Sequence, residues 1–175
     1  MLDPGATRRC VSLPLWSYQT TRRKEKMRDL LLSNWAEVRA GLLATIDKFS
    51  DDELSSHPVP RAYSVAETML HIANEEDGEI RFGITRELSE FPPPFDAQRY
   101  RDKPAIIGLL SDVHARTVTY LQGLNDGDLD GTVETPWDET HRQIELLWHV
   151  IEHEIHHRGE LSLILGLLGR DGLDA

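Results

Sequence analysis

The residues most capable of chemistry crowd into one stretch near the end of the chain, His149-Val-Ile-Glu-His153-Glu-Ile-His156-His157-Arg-Gly-Glu160. Read as helix, it places His149, His153 and His157 at successive i, i+4 positions, one above another on a single face. Apolar residues flank this ladder, Leu146, Leu147, Val150 and Ile151 before it and Leu161, Ile164 and Leu165 after it, so part of it must look into a core. A buried imidazole needs a partner for each ring nitrogen or bears the cost of an unsatisfied polar group. Two or three stacked imidazoles call for a shared partner, and a metal ion is the usual one. The other half of such a site lies upstream, where Glu67, His71 and Glu75 form a second i, i+4 ladder with His71 between Leu70 and Ile72. His71, His153 and His157, drawn from two helices, would make a facial set of neutral nitrogens. Such a set suits Zn, Ni or Fe and leaves positions open for water or substrate.

The same residues fit parts of other sites. His153-Glu154-Ile-His-His157 matches the H-E-x-x-H zinc-protease pattern, in which Glu154 would be the general base. No sheet edge is predicted to align a peptide, however. Glu154 with His157 also matches the Glu-x-x-His element of di-iron bundles, but that architecture wants the element twice and the upstream spacing is Glu67-x-x-x-His71. A structural metal, a histidine-rich surface and solvent-exposed histidines at a helix end are the plainer alternatives. His149, one turn before His153, could be a fourth ligand or support a ligand from behind, and ranks below the three. His156 lies about 100° from His157 around the helix and reads as a surface or hydrogen-bonding residue. Glu67 or Glu75 could hydrogen-bond a ligand imidazole and fix its tautomer. Arg158 and Glu160 could orient a substrate, or pair with neighbours as solvated charges. Trp137 could cover the mouth of the site or pack at the bundle end.

Long helices must position these side chains. From Met27 to Phe49, the residues Leu30, Leu31, Trp35, Val38, Leu42, Leu43, Ile46 and Phe49 follow steps of three and four and predict an amphipathic helix. The second predicted helix opens at Ser64-Val-Ala-Glu67, a capping box, and runs toward Leu88. Gly78 and Gly83 weaken it by about 1 kcal/mol each relative to Ala, so packing must hold its second half. The Pro-rich stretch from Phe91 to Asp102 could reach about 40 Å in polyproline II, enough to return along the bundle. That permits the second and third helices to run parallel without demanding it. The third helix is predicted from Pro104 to Leu124, ended by Asn125-Asp-Gly-Asp-Leu-Asp-Gly131. A short extended piece, Thr132 to Trp137, precedes a last helix from Asp138 or Thr140 to about Gly169. Four long helices without internal repeat or sustained strand signal predict an all-α four-helix bundle.

Residues 1–26 lack sustained periodicity and read as an extension outside the core, with Met27 a plausible beginning of the bundle. The bundle is expected over 27–169 and a tail over 170–175. The net charge of -11 argues against a nucleic-acid or anionic-membrane surface. No apolar run approaches a membrane span of about 18–20 residues. The single Cys10 rules out an intrachain disulfide and fits a reducing, cytoplasmic compartment.

Two of these stretches, Tyr63-Ser-Val-Ala-Glu-Thr-Met-Leu-His71-Ile-Ala and Leu147-Trp-His-Val-Ile-Glu-His153-Glu-Ile-His-His157-Arg-Gly-Glu160-Leu, carry a family likeness. The chain resembles the DinB/YfiT-like superfamily of metal-binding four-helix bundles from about Met27 to Gly169. The His-x-x-x-His-Arg-Gly element, with the single histidine upstream, is the most specific part of the match. The resemblance implies an up-down-down-up bundle, often a homodimer, with a divalent metal (Zn, Ni, Mn or Fe) on His71, His153 and His157. It also implies one possible reaction, since several members resembling it are S-transferases or isomerases that use a low-molecular-weight thiol. Glu160 departs from the family, which commonly has Gln there. In an S-transferase a thiolate held at the metal would attack an electrophilic substrate. Cys10, outside the bundle, is a poor source of that thiol, which would then be a cofactor. The alternatives are a non-catalytic metal-binding, dimeric stress-response module and a metal-dependent hydrolase.

Overall fold

The computed structural model describes residues 26–172. The expected extension therefore lies almost wholly outside the described residues, as does Cys10. Four long segments are helical: α1 (Met27–Asp47), α2 (Val65–Gly78), α3 (Lys103–Gly123) and, after a short α4 (Asp126–Asp130), α5 (Gln143–Leu167). The expected capping box forms at the start of α2, where the Glu67 backbone N–H donates to Ser64 Oγ at 3.2 Å and the Ser64 N–H donates to Glu67 Oε2 at 2.7 Å.

Two apolar clusters fix the helix directions. One joins Leu42 and Ile46 near the end of α1, Val65 and Met69 at the start of α2, Ile106 and Leu110 at the start of α3, and Leu161 and Leu165 near the end of α5. The other joins Leu31 and Trp35 of α1, Leu121 of α3, and Leu147 and Ile151 of α5. The helices thus run up (α1), down (α2), down (α3) and up (α5). The stretch between Ile84 and Lys103 makes the long return that parallel α2 and α3 require, and Phe95, Ala97 and Tyr100 pack on the first cluster along it.

Between the clusters lies a polar layer that no local sequence pattern announces. Buried Arg39 of α1 donates through Nη2 to Glu76 of α2 at 2.5 Å and to Glu154 of α5 at 2.9 Å. Trp35 Nε1 donates to the same Glu154 oxygen at 3.0 Å, and His114 Nδ1 of α3 lies 2.8 Å from Glu76 Oε1. Every long helix contributes to this layer. Burial pushes the Glu76 carboxyl up, but the His114 hydrogen bond and the Arg39 charge outweigh it and leave Glu76 below the usual carboxylate range. Burial wins at Glu154, whose carboxyl is raised.

Two boundaries differ from expectation. α2 does not continue to Leu88: it ends at Gly78 and passes into a wider π-helical turn, Glu79–Ile84. Arg86 then takes a left-handed conformation (φ 59°) that ends the helical path. The last helix begins at Gln143, later than expected, because Thr140–Arg142 (β2) pairs antiparallel with Thr132–Glu134 (β1). β-branched Thr132, Val133 and Thr140 favour the pleated form. The Thr135 N–H donates to the Glu139 carbonyl at 2.8 Å, and Asp138 (φ 60°) makes the turn.

Candidate metal centre

The capping box sets where α2 starts, and that start places His71 on the groove between α2 and α5. The i, i+4 spacing within α5 sets His153 and His157 against it. All three side chains converge: His153 Nε2 lies 3.3 Å from His71 Nε2 and 3.1 Å from His157 Nε2. One potential ligand atom from each of the three falls within 4.8 Å of the others. Nitrogens about 2.0–2.1 Å from one ion, at angles between 90° and tetrahedral, stand about 2.8–3.4 Å apart. The two spacings from His153 Nε2 fall in the range that nitrogens sharing one ion would have.

The protonation pattern agrees. Burial, with the neighbouring His157 and His71, pushes His153 down to about 3. His71 is lowered as well, chiefly by burial. Both rings are therefore neutral at physiological pH, the form that binds a metal. Glu160 Oε2 lies 2.6 Å from His157 Nδ1, which fixes the proton on Nδ1 and leaves the Nε2 lone pair facing the other rings. Glu75 stands on the Nδ1 side of His71 at 3.7 Å, beyond hydrogen-bond distance. Three neutral imidazoles in mutual contact cannot all be satisfied by one another, and the donor set fits a divalent cation.

The remaining sequence candidates separate. Glu67 is engaged in the capping box, so its carboxylate holds the start of α2 rather than an imidazole. Glu154 is turned into the polar layer against Arg39 and Trp35, so the H-E-x-x-H base is not beside its histidines. His149 is exposed and lines a hollow of about 330 Å³ with Glu79, His141 and Trp137, away from the three converging rings. Trp137 stacks edge-on against Phe82 at 5.6 Å there. His156 is exposed, 3.3 Å from Glu160 Oε1. Arg158 lies against Gly41 of α1. Tyr63 was not singled out by its spacing. Its ring packs 5.4 Å from that of His71, and its only sequence signal is an aromatic residue immediately before the cap Ser64.

Fold and site together define a class: an up-down-down-up four-helix bundle with a histidine cluster in the groove between its second and last long helices. The DinB family model matches residues 19–173, and the chain belongs to the DinB family. It is 26% identical over 132 residues to the uncharacterised protein YizA of Bacillus subtilis (strain 168), spanning 74% of this chain and 80% of that protein. It is similar to YfiT from Bacillus subtilis, described as a probable metal-dependent hydrolase with an unusual four-helix bundle topology. There the TM-score is 0.62 at 19% identity, over 91% of this chain and 94% of that one. A mutant of the mycothiol-dependent maleylpyruvate isomerase shares the fold at TM-score 0.55 and 14% identity, over 81% of this chain and 67% of that one.

Proposed function

We propose that His71, His153 and His157 hold one divalent cation and that the protein is a metal-dependent S-transferase, joining a low-molecular-weight thiol to an electrophilic small molecule. The observation that carries this reading is the convergence of three imidazoles, with His153 Nε2 3.3 Å from His71 Nε2 and 3.1 Å from His157 Nε2, beside open hollows. A bound divalent cation supplies Lewis acidity, so that a thiol or water beside it gives up its proton near neutral pH. The chain's own residues do the rest. Glu160 holds the His157 tautomer, and Tyr63 stands on the rim against His71. Glu75, whose carboxyl burial raises above its usual range, stands behind His71 on its Nδ1 side and would help orient that ring. The hollow on the His71 side, about 380 Å³ and bordered by Asn74, Asp96 and Gln98, offers hydrogen-bonding groups to a polar thiol.

The test is elemental analysis of protein purified without a metal-affinity step, alongside His71→Ala, His153→Ala and His157→Ala. About one equivalent of Zn, Ni, Mn or Fe, lost in each variant, is expected. The loaded protein is then assayed with an electrophile in the presence and absence of candidate thiols. Thiol-dependent turnover supports the transferase. Turnover of an ester without thiol moves the reading to a hydrolase, a description YfiT already carries. Metal without either turnover leaves a binding module, and no metal after reconstitution with each ion removes the site altogether.

A further inference from the structure

A second hollow, about 580 Å³, opens on the other side of Tyr63 and ends at His157 and Glu160. Its volume falls in the range of small-molecule sites, about 300–1,000 Å³. Most of its wall is apolar, with Val59 on the loop before α2 and Leu163, Ile164 and Leu167 on the last turns of α5. One cation, Arg61, lines it.

The position of Arg61 is unusual for that residue. The Ala62 N–H donates to the Val59 carbonyl at 3.2 Å, closing a tight turn with Pro60 and Arg61 at its centre, and Arg61 has φ 75°. That is the position of a proline-led turn that demands a left-handed conformation, where glycine is the relaxed choice. A long cationic side chain stands there instead. Arg61 is exposed at the rim of the hollow, and although the chain carries a net charge of -11 its guanidinium makes no ion pair or hydrogen bond among the described residues. The Glu160 carboxylate, which also lines the hollow, is engaged with His157 and His156 and repels an anion. The lining therefore carries a positive charge at the turn, a negative one beside the histidines and an otherwise largely apolar wall.

We propose that this hollow binds an apolar small molecule bearing a carboxylate, with Arg61 as the residue that reads the anionic end. The inference deepens the proposed function, since it gives the chemical class of one of the two reactants, and for that placement it rests on that reading. The ligand's apolar body lies along Leu163 and Leu167, its carboxylate at Arg61 and its uncharged end toward His157.

Calorimetric titration of the full chain tests this with two probes of matched shape, 5-phenylvalerate and 5-phenylpentan-1-ol. Native protein is used both metal-loaded and stripped with a chelator, together with Arg61→Gln and Leu163→Glu. The acid is expected to bind about tenfold more tightly than the alcohol, the worth of a charge-assisted hydrogen bond. Arg61→Gln should abolish that ratio while leaving the alcohol's affinity in place, and Leu163→Glu should weaken both probes. A ratio that survives stripping shows that Arg61, not a metal, reads the carboxylate, and it stands even if the native protein proves to carry no metal. Equal affinity for the two probes, or a ratio unchanged in Arg61→Gln, overturns the proposal. So does binding of neither probe, including the case in which Leu163→Glu dissociates an oligomer, since a second copy of the chain would then cover the hollow.

Discussion

His153 and Glu154 are neighbours in sequence and opposites in environment. His153 faces the groove and meets two other imidazoles, whereas Glu154, 100° further around the helix, is buried with Arg39 and Trp35. The string that matches a protease motif is thus divided between two sites by the pitch of α5. His153 also yields a pH dependence. In metal-free protein, burial and its histidine neighbours lower it from 6.5 to about 3. The unfolded chain takes up a proton near pH 6.5 that the folded chain refuses until about 3. The stability that depends on the neutral ring is complete above pH 6.5 and is lost as pH falls through that value toward 3. Urea midpoints of stripped native protein should therefore fall more steeply between pH 8 and 4.5 than those of His153→Gln. Parallel curves would show that the ring does not titrate in this way.

At the scale of elements, α2 and its π-helical continuation show why propensity alone misjudged the helix. Gly78 and Gly83 read as weak points, but a Cβ at Gly78 would stand 2.3 Å from the Phe91 ring, and one at Gly83 would stand 3.4 Å from Trp137. Gly78 lets the chain returning from α2 pack flat on the helix. Gly78→Ala should accordingly lower stability by about 1–3 kcal/mol through overpacking. Gly159→Ala, with nothing within 4 Å of the added methyl, should gain up to about 1 kcal/mol from helix propensity. Thermal melts of the two variants check the pair, and equal shifts would mean that the Phe91 contact does not hold in solution. The β1–β2 hairpin is the matching lesson at the other end of the bundle. Its short, mostly polar strands carry too little periodicity to announce a hairpin, and cross-strand hydrogen bonds decided the start of α5.

Across the whole molecule, the polar layer separates two dry clusters and ties α1, α2, α3 and α5 together at mid-height. Arg39 is the cation shared by Glu76 and Glu154, all three buried. Removing it leaves two buried carboxylates without their counter-ion. Arg39→Ala should cost about 3–5 kcal/mol, read as a fall in the urea midpoint at pH 7. Arg39→Ala combined with Glu76→Gln and Glu154→Gln should recover much of that loss. A small effect in the single variant would show that water reaches the layer.

The four long helices were legible in the sequence because amphipathic periodicity and the Ser64–Glu67 cap are local properties, and burial of one face is all that a long helix needs to declare itself. The i, i+4 ladders were legible for the same reason, and they put His71, His153 and His157 on the page before any coordinates. Only the tertiary structure decided which rungs face which. It brought His153 Nε2 to 3.1–3.3 Å from those of His157 and His71, set His149 in another hollow, tied Glu67 into a cap, and buried Glu76 and Glu154 against Arg39. Those assignments depend on the rotation and register of one helix against another, which are settled by packing between residues far apart in the chain and leave no local trace in it.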